Sequence, residues 1–293
     1  MCGITGIIGK RVVSEEILNR ISLATNSIKH RGPNNSETTF GKSWALGHTR
    51  LSVIDPGPEA NQPMQSSDGN LIIVFNGEIY NHLALRLELQ ANGVAFKTNS
   101  DTETLLEAFA FYGKEVLSKL NGFFAFCIYN RQLDEFFLAR DRYGIKPLLI
   151  GVHDDFISFG SEMKAVMSFP VSQELDYEAL GTYLQYSYIP APRSIYKNVS
   201  KILPGQMLTI TNTRTLIFDF YYEIKKNNLG TNLNFENAAR TVKELTFNSV
   251  EKRLIADVPL GCFLSGGVDS SIIAWCANQV KPIDTFSIGF KNH

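Results

Sequence analysis

The chain opens with Met1-Cys2-Gly3-Ile4, and Cys2 decides how the first half of the sequence is interpreted. If Met1 is removed, Cys2 carries a free α-amine beside its thiol. An α-amine with an ordinary pKa of about 7.7–8.0 can act as a base near neutral pH. A thiol with an ordinary pKa of about 8.5 needs little help to ionise. Cys2 is therefore a candidate nucleophile; the alternative is an ordinary cysteine that happens to be second.

Composition and charge exclude several classes of protein. The 293 residues are 44 % hydrophobic and 19 % charged, as in a soluble globular protein of one or two domains. A formal net charge of −1 gives no long-range attraction to nucleic acid or an anionic membrane. No apolar run is long enough to span a bilayer, and we see no secretory signal. We expect a cytoplasmic protein that binds no nucleic acid or membrane.

The cysteines support the same expectation. Cys2, Cys127, Cys262 and Cys276 show no Cys-x-x-Cys pair and no histidine-rich spacing that would hold zinc. Cys127 and Cys276 lie inside apolar runs and are predicted core residues. A reducing compartment is the simplest interpretation, and we assign no metal ligands.

Many short strands and few helices predict a largely antiparallel α+β first domain. A helix is predicted over residues 14–28, with Ser14 as its N-cap. A buried strand over residues 71–75 is predicted to stop in a turn at Asn76-Gly77. Further strands are predicted at 123–129, 135–140, 148–152, 157–160, 207–211 and 216–222.

Two shorter helices are predicted in the middle of this domain. The first covers residues 81–93, is capped by its opening asparagine and buries Leu83 and Leu87. The second follows Ser100-x-x-Glu103, which is the pattern of a capping box.

The composition changes at residues 225–234, KKNNLGTNLN, which are polar and lack periodicity. We interpret this stretch as a linker. The predicted domains are residues 2–213 and 235–293, with residues 214–234 as the connection. A helix over 235–254, with Ala238, Val242, Leu245 and Ser249 on one face, begins the second domain. A strand (258–264), a glycine-rich turn, a helix (270–278) and a strand (283–288) follow, which is the order of a parallel α/β sheet.

A series of motifs in the first domain resembles the class II, or N-terminal-nucleophile, glutamine amidotransferases. The matching segments are Met1-Cys2-Gly3-Ile4, Arg31-Gly32-Pro33, Gly47-His48-Thr49-Arg50-Leu51-Ser52-Val53-Ile54-Asp55, Phe75-Asn76-Gly77-Glu78-Ile79-Tyr80-Asn81, Ser100-Asp101-Thr102-Glu103, Leu120-Asn121-Gly122-Phe123-Phe124-Ala125-Phe126, Ala139-Arg140-Asp141-Arg142-Tyr143-Gly144-Ile145-Lys146-Pro147-Leu148 and Gly160-Ser161-Glu162-Met163-Lys164-Ala165. Because these segments occur in family order over most of residues 1–165, the resemblance is specific. It implies an αββα sandwich of antiparallel sheets.

The resemblance also implies a glutamine site. Cys2 would attack the side-chain amide, and the Asn76 side-chain NH and Gly77 backbone NH would form the oxyanion hole. Arg50 would hold the α-carboxylate bidentately, while Asp101 and Glu78 would hold the α-ammonium. The implied glutamine-binding residues are Arg50, Leu51, Ser52, Val53, Ile54, Asn76, Gly77, Glu78 and Asp101. For Arg31, Arg140, Asp141, Arg142 and Lys146 we expect structural roles.

Each motif has a structural alternative when it is taken alone. Asn76-Gly77 could be a hairpin turn. Asp101 could be a helix cap. Arg50 could form a surface ion pair of little energetic value.

A glycine-rich loop follows the first predicted strand of the second domain. Residues 264–271, LSGGVDSS, open a helix, where backbone NH groups can hold phosphate oxygens. The loop has no lysine, so it is not a Walker A site. It resembles the pyrophosphate loop of ATP pyrophosphatases, and its flanks resemble the asparagine synthetase family; a plain glycine turn is the alternative. The implied ATP-binding residues are Leu264, Ser265, Gly266, Gly267, Asp269, Ser270 and Ile288.

Three functions stay open at this point. The first is a glutamine-dependent amide ligase, in which ATP and Mg²⁺ activate aspartate and the cleavage of glutamine supplies ammonia. The second is a stand-alone glutaminase, or an amidotransferase acting on another carboxylate such as a sugar acid. The third is a non-enzymatic partner of a longer subunit. We expect this chain to carry the glutaminase half intact and only the start of the ATP half, and a homodimer is left open.

Overall fold

The structure is a computed structural model that describes residues 2–10, 14–224 and 234–289. The chain divides into two compact units, Met1–Glu223 and Ile224–His293. Strands of the first unit are β1 (Gly3–Gly9), β2 (Asn35–Phe40), β3 (Trp44–Arg50), β4 (Met64–Gln65), β5 (Leu71–Ile79), β6 (Gly122–Asn130), β7 (Glu135–Arg140), β8 (Leu149–Val152), β9 (Phe156–Gly160), β10 (Val199–Lys201), β11 (Gln206–Ile210) and β12 (Leu216–Phe220). Its helices are α1 (Glu15–Ser27), α2 (His82–Ala91), α3 (Asp101–Tyr112), α4 (Val116–Lys119), α5 (Met163–Val166) and α6 (Tyr177–Tyr186).

The strands of the first unit form two antiparallel sheets. The first sheet has the order β10-β8-β9-β1-β3-β2, and the second has the order β12-β11-β7-β6-β5-β4. Ile4, Ile8 and Leu46 of the first sheet pack against Val74 and Cys127 of the second in a buried layer. The two sheets therefore lie face to face, and the prediction that Cys127 is a core residue is confirmed.

Helices cover the outer face of each sheet. Ile21 and Ala24 of α1 pack with Ile7 of the first sheet. Leu85 of α2 and Leu105 of α3 belong to the buried cluster of the second sheet. The layer order is helix, sheet, sheet, helix, which confirms the predicted αββα sandwich.

The predicted buried face of α2 is wrong. Leu83 and Leu87 are 53 % and 67 % exposed, whereas Leu85 and Leu89 are buried. Both pairs have helical spacing, so periodicity alone could not choose between them. Asn81 makes no side-chain cap; instead its amide donates to the Lys119 carbonyl and accepts from the Asn121 NH. These contacts tie the start of α2 to the loop before β6.

The predicted turn at Asn76-Gly77 is also wrong, because β5 runs through it to Ile79. Asn76 pairs with Ala125 and Gly77 with Phe124 of β6. A Cβ at Gly77 would lie 2.3 Å from the Phe123 carbonyl oxygen. Glycine is therefore needed at position 77 because β5 and β6 approach each other closely there, and both Asn76 and Gly77 belong to the sheet.

Strands β1, β2 and β3 were not predicted, although β1 is central and completely buried. Its sequence GITGIIG lacks the alternation of a half-exposed strand. Gly6 is required by packing, since a Cβ there would lie 2.3 Å from the Phe159 ring. Ser14 does cap α1 as predicted, by accepting from the Ile17 NH.

In the second unit, the described residues form α7 (Phe235–Lys252), β13 (Gly261–Phe263), α8 (Val268–Val280) and β14 (Asp284–Phe286). Strands β13 and β14 pair in parallel, as the sequence predicted. Cys276 is buried against Val250 of α7, which confirms it as a core residue. The helix α7 forms where it was predicted, and Val242 and Leu245 on its predicted apolar face are 62 % and 63 % exposed.

The predicted connection includes a strand of the second sheet. Strand β12 lies inside the predicted connection but pairs with β11 in the second sheet. We therefore propose that the first domain continues to Glu223 instead of ending at residue 213. Residues 225–233 of the predicted linker lie outside the described residues. No helix in the described ranges is long and apolar enough to cross a membrane.

Candidate active site

One pocket of the first unit collects residues from five separated segments. They come from the start of β1, the end of β3 with its loop, the end of β5, the start of α3 and the loop between β7 and β8, which supplies Lys146. The lining residues are Cys2, Arg50, Leu51, Val53, Ile54, Gln62, Phe75, Asn76, Gly77, Glu78, Ser100, Asp101, Thr102 and Lys146. Ser52 is not among them, and its NH donates to Asn34 Oδ1 at 3.1 Å.

The Cys2 thiol is held at the pocket wall. The Leu51 NH donates to Cys2 Sγ at 3.4 Å, and the thiol lies 3.7 Å from the Leu51 carbonyl oxygen. Arg31 Nε donates to the Cys2 carbonyl oxygen at 2.9 Å. Burial raises the pKa of the Cys2 thiol, although the Leu51 NH acts in the opposite direction. The thiol is therefore protonated near neutral pH and needs a base before it can attack.

Asn76 presents an unused amide to the pocket. The residue is completely buried, and neither Oδ1 nor Nδ2 finds a hydrogen-bond partner among the described residues. A buried amide without partners costs free energy, so an external group that accepts from Nδ2 would be favoured. The next residue, Gly77, brings its backbone into the same pocket.

Arg50 is buried and already engaged. Its terminal nitrogens donate to the carbonyl oxygens of Gly57, Ile54 and Asp55 and to Asn61 Oδ1. Burial lowers the pKa of the guanidinium. A surface ion pair is therefore excluded as its role. A carboxylate ligand would have to replace some of these loop oxygens.

Asp101 is buried at the first position of α3. The cap of this helix is Ser100, whose side chain accepts from the Glu103 NH, so the interpretation of Asp101 as a cap is wrong. Asp101 Oδ2 instead accepts from the Ile79 NH at 2.9 Å. Burial raises the pKa of Asp101 to about 7, and the charge of nearby Glu78 adds to the effect. An ammonium ligand would find two carboxyl groups here.

The capping box itself forms only in part. The Glu103 carboxylate does not return to Ser100; it accepts from the NH groups of Lys97 and Thr98. Ser100 uses its own NH to donate to Thr98 Oγ1. These bonds fix the loop that leads into Asp101.

Three residues around the pocket were not assigned to the glutamine site from the sequence, and for one of them, Lys146, a structural role was expected. Lys146 lines the pocket, and its pKa is lowered by burial against the raising effect of Glu78 and Cys2. Gln62 accepts from the Phe75 NH at 2.6 Å and donates to Thr102 Oγ1 at 3.1 Å, which braces β5. The buried His48 ring bonds to the Phe75 carbonyl at 3.1 Å, and burial lowers its pKa to about 3.

The other charged motif residues build the surrounding loops. Arg140 donates to the carbonyls of Gly144, Lys146 and Ile202. Buried Asp141 accepts from backbone NH groups of Phe124, Tyr143, Ile145 and Lys146. Arg142 donates to the Ser118 and Leu120 carbonyls. Their contacts agree with the structural roles expected of them.

The glycine-rich loop of the second unit joins β13 to α8. Gly266 has φ +83°, a conformation that side-chain-bearing residues rarely adopt, and nothing lies within 4 Å of its would-be Cβ. Ser265 Oγ lies 3.0 Å from Ser270 Oγ. Gly267 ends the loop without a side-chain cap, and Asp269 lies in the first turn of α8. The open turn and exposed helix start fit a phosphate group.

The adenine side of the predicted ATP site is less enclosed. Leu264 donates its NH to the Phe286 carbonyl and accepts from Ser287 Oγ, which brings the ends of β13 and β14 together. Ile288 is 79 % exposed. Among the described residues there is no cluster of His, Cys, Asp and Glu that could hold a metal ion.

An αββα sandwich with a thiol at the start of its central strand defines the class of N-terminal-nucleophile proteins. Residues 1–222 match the family described as a glutamine amidotransferase domain, and residues 241–293 match the asparagine synthase family. The chain belongs to the glutamine amidotransferase domain family.

Curated relatives extend the similarity through both units. Asparagine synthetase (glutamine-hydrolyzing) 1 of Bacillus subtilis is 37 % identical over 99 % of this chain and 46 % of its own length. Putative asparagine synthetase (glutamine-hydrolyzing) 2 of Methanocaldococcus jannaschii is 33 % identical over 99 % of this chain and 60 % of its own length. The chain thus spans about half the length of the curated relatives it matches.

A solved structure supports the fold alone. Glutamine phosphoribosylpyrophosphate amidotransferase from B. subtilis, complexed with ADP and GMP, has a TM-score of 0.57 and 19 % identity. The match covers 98 % of this chain and 65 % of that structure.

Proposed function

We propose that this chain is the glutamine-hydrolysing part of an asparagine-synthetase-type amide ligase. The observation that carries the proposal is the juxtaposition of Cys2, Asn76 and Asp101 in one pocket. A nucleophile, an unpaired amide donor and a buried carboxyl group are what cleavage of an amino-acid amide requires.

The reaction at Cys2 follows from its surroundings. Once Met1 is removed, the α-amine takes the thiol proton, and the thiolate attacks the δ-carbon of glutamine. The carbonyl becomes an oxyanion that accepts from Asn76 Nδ2 and the Gly77 NH. Collapse breaks the C–N bond, and the α-ammonium returns its proton to the leaving ammonia. Water then hydrolyses the γ-glutamyl thioester to glutamate and regenerates the thiol.

The two ends of glutamine are recognised by opposite charges. Its α-ammonium binds beside Asp101 and Glu78, where the ligand's positive charge favours the ionised carboxylates. Its α-carboxylate binds Arg50 in place of loop carbonyl oxygens, since a charged acceptor makes the stronger bond. Leu51, Ser52, Val53 and Ile54 form the loop beside this end.

The second unit is proposed to begin the ATP site. Residues of the loop, from Ser265 to Ser270, would hold the pyrophosphate of ATP, and Leu264 and Ile288 would contact the nucleoside. When bound, Mg²⁺ would neutralise the phosphates. ATP would adenylate the β-carboxylate of aspartate and release pyrophosphate, and ammonia would then displace AMP; the proposed compartment is the cytoplasm. The names of the relatives favour aspartate over another carboxylate such as a sugar acid.

The test is glutamine hydrolysis by the purified chain and by Cys2→Ala. We expect glutamate release by the wild type and none by the variant. Melting curves of the two should nearly coincide, because the thiol makes few contacts. Glutamate release by Cys2→Ala at the wild-type rate would refute the proposal.

A further inference from the structure

Two arginines hold the two ends of β1. At one end, Arg31 Nε donates to the Cys2 carbonyl oxygen at 2.9 Å. At the other end, Arg214 Nε donates to the Gly9 carbonyl oxygen at 3.0 Å. The Arg31 and Arg214 side chains are similarly buried, at 9 % and 8 % exposed. Only the first of these contacts reaches the nucleophile.

Glu162 fixes the orientation of Arg31. Its Oε1 accepts from Arg31 Nη1 at 2.9 Å and contacts His30 Nε2 at 3.0 Å. Its Oε2 lies 3.3 Å from Lys164 Nζ. The rigid Arg31 guanidinium bonds to both Glu162 and the Cys2 carbonyl. A displacement of the Glu162 carboxylate would therefore also displace the hydrogen bond from Arg31 Nε to the Cys2 carbonyl oxygen.

Ser161, the residue before Glu162, is hydrogen-bonded to the beginning of β1. The Ser161 NH donates to the Ile4 carbonyl at 2.9 Å, and the Ile4 NH donates to Ser161 Oγ at 3.0 Å. Ser161 is buried. The backbone of Glu162 therefore has a fixed position relative to the beginning of β1, so its carboxylate is a firm anchor.

We propose that Glu162 is a positioning residue for the nucleophile: through Arg31 it fixes the Cys2 carbonyl, and with it the direction of the Cys2 amine and thiol. The proposal rests on the proposed function. Cys2 is at the chain terminus once Met1 is removed, so its backbone continues only on the C-terminal side, where Arg31 holds the Cys2 carbonyl. The thiol itself contacts the Leu51 backbone. A nucleophile with one free end gains most from such a restraint, because attack needs a narrow geometry.

The chain offers a matched control at the other end of β1. Arg214 Nη2 pairs with Asp134 Oδ2 at 2.8 Å, as Arg31 pairs with Glu162. Asp134→Asn therefore removes the same kind of charge from the same kind of arrangement. Asp134 has φ 50°, a conformation that asparagine tolerates.

The experiment compares Glu162→Gln, Asp134→Asn, Arg31→Lys and the wild type. Glu162→Gln is expected to lower kcat for glutamine by roughly 10- to 100-fold, the scale of a small misplacement of a reacting group. KM should stay near the wild-type value, since Glu162 is not in the pocket. Arg31→Lys, which lacks the forked donor, should reproduce the loss. Asp134→Asn should keep the wild-type kcat even if it melts at a lower temperature.

Hydrogen exchange supplies a readout that does not depend on activity. The Gly3 and Ile4 amides should exchange faster in Glu162→Gln and at the wild-type rate in Asp134→Asn. Equal kcat in the Glu162 and Asp134 variants, or unchanged exchange at Gly3 and Ile4, would overturn the positioning role. An inactive wild type would instead reject the glutaminase itself, and the exchange rates would still decide whether Glu162 restrains β1.

Discussion

The backbone NH of Ile79, at the end of β5, donates to Asp101 Oδ2 at 2.9 Å. This bond joins the strand that carries Asn76 and Gly77 to the helix that carries Asp101. The proposed oxyanion hole and the proposed ammonium site are thereby held at a fixed separation. Glutamine hydrolysis requires both to engage one substrate.

Asp101→Asn should weaken glutamine binding and raise the stability of the protein without bound glutamine. Loss of a charge-assisted partner, worth about 1.5–3 kcal/mol, predicts a KM increase of roughly 10- to 100-fold. The amide can still accept from the Ile79 NH. Steady-state kinetics and melting temperature test the two effects. Asp176→Asn, at the cap of α6, should leave KM unchanged; a matching KM increase there would contradict a specific role for Asp101.

The same residue predicts a pH dependence of stability. Between an unfolded pKa of 3.8 and a folded pKa of about 7, the folded state binds more protons at Asp101 than the unfolded state. The contribution of Asp101 to the free energy of unfolding therefore falls as pH rises through this window. The stability advantage of Asp101→Asn over the wild type should grow as pH rises from 3.8 to about 7 and stay level above that, at most a few times about 1.36 kcal/mol. A stability difference that is independent of pH would contradict the raised pKa.

Asn76→Ala should slow turnover without weakening binding. Removal of one oxyanion donor usually lowers kcat by about 10²–10³. Its amide has no hydrogen-bond partner among the described residues, so its loss should change the melting temperature little. Gln62→Ala is the contrast, because that amide is bonded at both ends and its loss should cost about 1–3 kcal/mol. A raised KM with normal kcat in Asn76→Ala would refute the assignment.

The active protein should begin at Cys2. Burial raises the pKa of the thiol, so a nearby base is needed, and the free α-amine is the nearest group that removal of Met1 creates. Intact-mass analysis of active protein should show the loss of Met1. Full activity of a preparation that retains Met1 would show that another base is used.

A polypeptide of these 293 residues should hydrolyse glutamine but form no asparagine. The core of the first unit is closed by helices on both sides, as its clusters show. In the second unit, by contrast, Phe263, Trp275, Phe286 and Ile288 are 78 %, 53 %, 57 % and 79 % exposed. We expect weak or no ATP binding. The assay supplies aspartate, ATP, Mg²⁺ and ammonia, which bypasses Cys2; any asparagine formed would contradict the prediction.

Local sequence chemistry predicted several elements well. Ser14 caps α1, β6 and β7 pair around their loop, and β13 and β14 are parallel with a helix between them. These features depend on neighbours in the chain, so residue order is enough to specify them. Strand β1 was not predicted because its glycine-rich sequence lacks the alternation of a half-exposed strand. The buried side of α2 was not predicted because the helix has two leucine pairs with helical spacing, and spacing alone does not show which pair faces the sheet.

The sequence by itself determined the class of chemistry, since the order of motifs from Cys2 to Asp101 identifies the residue types that the reaction needs. Only the tertiary structure decided how those residues are held. It kept Asn76-Gly77 in a strand, left the Asn76 amide unpaired, engaged Arg50 with its own loop and bonded Asp101 to the end of β5. The physical reason is that burial and hydrogen bonding join residues far apart in the chain, and those contacts set both the geometry and the protonation of the site.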